Sequence, residues 1–184
     1  MEPQEFLAEV RQRLGVPAGR IVDERELALA ERKRLGLPAS PPHLLTDYRG
    51  YPVKLDFIIR DELHFTVNAP ILHRVSVRPW TIFDRFLRLV GLLAWAPFPD
   101  PTEQRFFLQG LSPENAARYL TPTHVKAFDE LYPFAHWTAN ERGYQCLKGV
   151  DIDGGYTPAD AVRDLDLLLD IVAADQAARS TVRP

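Results

Sequence analysis

The sequence predicts an α+β fold: an antiparallel β-meander sheet with helices packed on one face, plus a helical N-terminal appendage. Three observations carry this. Apolar residues alternate with period two between residues 51 and 78. The dipeptides Ser112-Pro113, Thr121-Pro122 and Thr157-Pro158 repeat one helix-start device, a hydroxyl at the N-cap followed by proline at the first helical position. Two thinly apolar helical stretches at the N-terminus run into LPASPPH, a proline-rich linker.

The elements follow in order. Residues 4–14 place Phe6, Leu7, Val10 and Leu14 at helical spacing, and Gly15 and Pro17 stop that helix. A second helix is predicted from Asp23, a good N-cap, to Leu35, with Gly36 at its C-terminal end. The appendage and linker therefore span 1–42, the α+β domain 43–178, and a disordered tail 179–184. Within the domain, LLTDY leads through an Arg49-Gly50 turn into YPVKLDFII, where Val53, Leu55, Phe57 and Ile59 share one face. Leu63, Phe65 and Val67 form the next strand, and Val75 and Val77 the one after. Three-residue loops would set Ile59 opposite Leu63, Leu55 opposite Val67, and Phe65 opposite Val75, which keeps every apolar side chain on one face. A short strand is predicted within 104–109, and a hairpin around Asn140–Gly143. The last helix carries Val162, Leu165, Leu168, Leu169 and Val172 on one stripe, with Asp160, Arg163, Asp164 and Asp170 opposite.

Composition bounds the function. Of 184 residues, 46% are hydrophobic and 26% charged, as in soluble globular proteins. A net charge of -3 supplies no concentrated basic face for nucleic acid. The single cysteine, Cys146, cannot form an internal disulfide. The N-terminus lacks the apolar run of a secretory signal, and no stretch reaches the ~18–20 apolar residues of a spanning helix. The expectation is residence in the cytoplasm, with peripheral membrane contact as a compatible variant.

Chemical motifs are sparse. His43, His64, His73, His124 and His136 form no HExxH or HxH pattern, and strand alternation sends His64 and His73 to opposite sides of the sheet. The sequence Asp151-Ile152-Asp153-Gly154-Gly155 starts like a calcium loop but lacks the later acidic positions, so a turn into the Thr157 helix explains it better. Neither GxSxG nor a glycine-rich phosphate loop occurs. Cys146 lies in an alternating strand and reads as core. No catalytic residue, metal or cofactor is assigned.

Residues 86–98, FLRLVGLLAWAPF, contain one charge, Arg88. A helix is predicted from Trp80, amphipathic at first and apolar on every side in its last turn, ended by Pro97 and Pro99. It is too short to span a bilayer. One reading makes it a core helix. The other makes it an exposed apolar knob, offered through Trp80, Phe83, Phe86, Leu87, Leu92, Leu93, Trp95 and Phe98, with arginines beside it.

The stretches LTDYRGYPVKL, VRPWTIFDRFLRLVG and DPTEQRFFLQGLSPENAARYL, with the helix from Thr157, resemble an uncharacterised bacterial α+β domain family over residues 44–175. The resemblance implies the same fold, and relatives are often tethered behind transmembrane helices. It implies no activity. This chain departs from the pattern at Glu103-Gln104-Arg105-Phe106, one residue shorter, and at the apolar residues 92–98, where the family has a polar loop. Three functions follow in order. The first is a non-enzymatic accessory or adaptor protein that docks on another protein, or on a membrane-associated complex, through residues 80–98. The second is a carrier of an apolar ligand between sheet and helices. The third is a small hydrolase whose site is assembled across the fold.

Overall fold

A computed structural model describes residues 1–22, 41–80 and 106–181 of the chain. Their elements, in chain order, are α1 (Pro3–Arg13), β1 (Arg20–Val22), β2 (His43–Tyr48), β3 (Tyr51–Ile59), β4 (Glu62–Val67), β5 (Val75–Pro79), β6 (Phe106–Gln109), α2 (Pro113–Tyr119), α3 (Pro122–Leu131), β7 (His136–Asn140), β8 (Gly143–Gly149) and α4 (Pro158–Thr181). The strands form one antiparallel sheet in the order β1-β2-β3-β4-β8-β7-β5-β6. This is the predicted α+β architecture. Among the described residues no helix is long and apolar enough to cross a membrane.

The β2–β3 hairpin forms as the sequence suggests. Tyr48 pairs with Tyr51, and Arg49 and Gly50 both take positive φ (50° and 82°), the geometry of a tight two-residue turn. The predicted β3–β4 loop is corrected. Leu55 pairs with Phe65 and Phe57 with Leu63, two residues away from the expected register, and an irregularity between Phe57 and Ile59 leads into the tighter turn at Arg60-Asp61. A shift of two preserves the faces, so the apolar side chains still lie together. The expected pairing of β4 with β5 is also corrected. β4 pairs instead with β8, so that Phe65 faces Cys146 and Val67 faces Tyr144, while β5 lies between β7 and β6. The local alternation of β4 and β5 suits either neighbour, and the stronger hairpin partner of β8 is β7.

The inner face of the sheet carries Leu55, Phe57, Leu63, Phe65, Val75, Val77, Trp137, Tyr144 and Cys146, all buried in one core with α2, α3 and α4. Of the segment expected as an appendage, α1 lies in that same core. Phe6, Leu7 and Val10 are fully enclosed, and Phe6 meets Phe57 edge to face at 5.6 Å and stacks on Tyr156 at 6.0 Å. β1 was not expected; it adds to the edge of β2, with Ile21 opposite Leu44. The predicted helix from Asp23 lies outside the described residues. On α4, Leu165, Leu168, Leu169 and Val172 are buried as expected, but so is Asp164, which the sequence pattern had placed on the solvent side.

The β7–β8 turn sets how closely two hairpins approach. Asn140 Oδ1 accepts from the Arg142 N–H at 2.9 Å, and Gly143 has φ of 97°. A Cβ on Gly143 would run into the Val67 carbonyl oxygen. Gly143→Ala is therefore expected to lower the unfolding free energy by about 2–3 kcal/mol, from positive-φ strain and backbone collision together. Gly149→Ala, where an added Cβ meets nothing within 4 Å, should cost less than about 1 kcal/mol. Urea denaturation of the two variants checks the contrast.

Candidate functional site

The polar chemistry divides between the two faces of the sheet. On the inner face it is enclosed. Asp175, 1% exposed, accepts from Tyr119 Oη at 3.1 Å and Tyr144 Oη at 2.8 Å, and lies 3.0 Å from His124 Nε2. A carboxylate only accepts, so Nε2 is the donor in that last bond. The other imidazole nitrogen, Nδ1, is 2.7 Å from Thr121 Oγ1. Thr121 is the N-cap of α3, yet its hydroxyl makes no cap bond and is given to His124 instead. Ser112 caps α2 through the Asn115 N–H, and Thr157 and Asp160 cap α4 reciprocally. Burial, reinforced by Asp175, raises the pKa of both Tyr119 and Tyr144 well above the ordinary tyrosine value, so both hydroxyls stay protonated as donors.

A second enclosed group joins β8 to α4. Lys148 Nζ donates to Asp164 Oδ2 at 2.6 Å and to the Leu131 carbonyl at 2.9 Å. Tyr156 Oη donates to the same carboxylate oxygen at 2.8 Å, and Arg163 to the other at 3.2 Å. Both oxygens of that carboxylate thus have partners, which is the condition under which a buried ion pair is tolerated. Cys146 lies beside it on β8. Burial pushes its thiol up to about 12, Lys148 opposing and Asp164 adding to the rise.

The outer face carries the accessible groups. Across β3 and β4, Asp56 stands between Lys54 Nζ, at 3.3 Å, and His64 Nδ1, at 3.5 Å. Burial works to raise its pKa, but His64 and Lys54 outweigh it and hold the carboxyl below its usual range. Its Oδ1 is buried and accepts no hydrogen bond. Further along the sheet, Ser76 Oγ on β5 lies 2.7 Å from His136 Nε2 on β7. Partial desolvation of the His136 ring, with repulsion from Arg78, lowers its pKa below the ordinary value. The Arg78 guanidinium lies 4.8 Å from the centre of the Phe107 ring, and Trp80 meets that ring edge to face at 6.4 Å.

Of the residues assigned to docking, Trp80 is described. Its indole N–H donates to the Phe106 carbonyl at 2.8 Å, next to the Pro79–Phe106 pair that joins β5 to β6. Phe83, Phe86, Leu87, Leu92, Leu93, Trp95 and Phe98 lie outside the described residues. The alternation had set His64 and His73 on opposite sides. His64 faces Asp56 on the outer face, while the His73 ring meets Tyr119 of α2 at 5.8 Å. The Asp151 carboxylate closes its own turn, accepting from the Asp153 and Gly154 N–H groups, while Asp153 is held by the N-terminal amine and Arg60. Among the described residues no group of three His, Cys, Asp or Glu side chains is placed to hold a metal. Sequence reasoning missed both His124–Asp175 and Ser76–His136. Each joins elements distant in the chain, and the second depends on β5 pairing with β7.

The chain matches no protein-family model, and no curated protein matches it.

Two outcomes are expected. Asp175→Ala leaves two buried phenols and an imidazole without their shared acceptor and should cost about 3–5 kcal/mol, read by chemical denaturation. Cys146 should fail to react with a thiol reagent such as DTNB in the native state at pH 8 and react fully once the chain is unfolded in guanidinium.

Proposed function

We propose that the protein is an accessory module that docks on another protein through the apolar residues 80–98. The observation that carries this reading is the closure of the β5–β6 connection. Pro79 pairs with Phe106, and Trp80 fixes its indole to the Phe106 carbonyl. A hairpin needs about 2–5 residues to turn. The sequence spends 80–105 there, and places FLRLVGLLAWAPF within it. Connections of such length in a compact domain usually serve a function of their own.

Composition favours a protein as the partner. Arg78, Arg85 and Arg88 accompany Trp80 and Trp95, the residue types that dominate binding hot spots. The resemblance to domains tethered behind transmembrane helices supports a partner at a membrane-bound complex. Among the described residues, two clefts of about 980 and 550 Å³ run beside α1 and the loop after it, through Gly15, Val16 and Pro17, and the smaller continues over Arg20, Leu45 and Pro52 at the β1–β2–β3 end of the sheet.

The test pairs binding with folding. The wild-type chain should retain a stoichiometric protein partner from its cells of origin. Leu92→Asp/Trp95→Asp should weaken that affinity at least ~30-fold, a loss of about 2 kcal/mol or more, while its Tm stays within about 2 °C. A large fall in Tm would assign the segment to the core, and equal retention by both chains would remove the docking role.

A further inference from the structure

The Ser76–His136 pair lies outside the docking role, and the fold leaves it accessible. The other hydroxyl–imidazole contact, Thr121–His124, is walled in: His124 is 2% exposed and tied to Asp175, itself 1% exposed. Ser76 is half-buried and His136 exposed, on the sheet face opposite the helices. Their contact of 2.7 Å is within the range for a nucleophile and its base. Strand geometry fixes both. Ser76 pairs with Thr138 and Val77 with Trp137, so His136 reaches Ser76 diagonally across the β5–β7 ladder. Arg78 is two residues along β5 on the same face, and the register that pairs Val77 with Trp137 sets it across from His136. Phe107, itself buried, packs against Arg78 and meets Trp80 edge to face, which anchors the Arg78 guanidinium. A hydroxyl, a base within hydrogen-bond reach and a cation are parts an acyl-transfer site uses.

We propose that Ser76 is the nucleophile of an ester-cleaving site in which His136 is the general base, and that its substrates are carboxylic esters. With the imidazole proton on Nδ1, Nε2 takes the Ser76 proton as Oγ attacks the ester carbonyl. The carbonyl oxygen gains the negative charge, with Arg78 a cation on that face. Collapse breaks the bond to the leaving oxygen, which departs as an alcohol with the proton from His136. Water, deprotonated by His136, then hydrolyses acyl-Ser76, releasing the carboxylic acid and restoring the hydroxyl. Partial desolvation of the ring and repulsion from Arg78 lower the His136 pKa, which favours the neutral imidazole that a base requires.

The probe is 4-nitrophenyl acetate with the full-length chain. The wild type should release nitrophenolate faster than buffer, and a quenched reaction should show one acetyl group on Ser76 by peptide mass spectrometry. The rate should rise with pH through a pKa below that of free histidine. Ser76→Ala should fall to the buffer rate, and His136→Gln should lose at least ~100-fold, both with native circular dichroism. Thr121→Val should retain the wild-type rate. A rate unchanged in Ser76→Ala, acetyl groups only on lysines, or a wild type no faster than buffer would each overturn the proposal.

Discussion

The carboxylate of Asp175 organises the helical layer. It lies on the last long helix, and its partners come from three other elements: Tyr119 at the end of α2, His124 in α3 and Tyr144 in β8. A charge in that enclosed position is costly unless every oxygen is satisfied. Only one arrangement of α2, α3 and β8 around α4 brings all three donors to it. The apolar contacts would tolerate small slides of α4 across the sheet; the carboxylate does not. Lys148 with Asp164 repeats the device about three turns earlier on the same helix, and ties β8 to α4 a second time. Between them the two groups fix both the rotation and the position of α4.

The remainder of the architecture follows from that fixation. With α1, α2, α3 and α4 gathered on the inner face, the outer face keeps the alternate residues of every strand: Lys54, Asp56, His64, Thr66, Gln145, Thr138, Ser76 and Arg78. Inside, Asp175 and Asp164 are each matched to their donors, while the buried Trp137 indole N–H has no partner among the described residues. Outside, most of them reach solvent, while Asp56 is buried and keeps an oxygen with no hydrogen bond. The connection that carries the apolar segment is rooted at the β5–β6 end of the sheet, beside Phe107 and Arg78. Docking and ester cleavage, as proposed, thus draw on neighbouring parts of one surface.

Local rules made the elements legible. Period-two alternation revealed β3, β4 and β5, and the hydroxyl-proline pairs marked α2, α3 and α4, because strand pleat and helix capping depend on residues close in sequence. The Arg49-Gly50 and Asn140–Gly143 turns were legible for the same reason. Strand order was not. β4 presents the same face to β5 as to β8, and nothing in Leu63-Phe65-Val67 selects between them. β1 is three residues long, too short for alternation to register. Asp164 was misplaced because a charged residue at the margin of a helical stripe reads as solvated; Lys148 and Tyr156, which enclose it, come from β8 and the loop before α4. The site chemistry was the least legible part. His124 and Asp175 are separated by most of two helices and a hairpin, and Ser76 and His136 by half the domain. The only local hint was Thr121, three residues ahead of His124 at helical spacing.

A double-mutant cycle between Tyr144→Phe and Asp175→Asn measures the organising role of that carboxylate most directly. Each change is nearly isosteric, so cavity effects stay small. If the Asp175 node holds β8 to α4, the two losses in unfolding free energy are coupled by at least about 1 kcal/mol, because the second change removes a bond the first has already broken. Losses that add to within about 0.3–0.5 kcal/mol would show the contact to be incidental, and would leave apolar packing alone to position the helix.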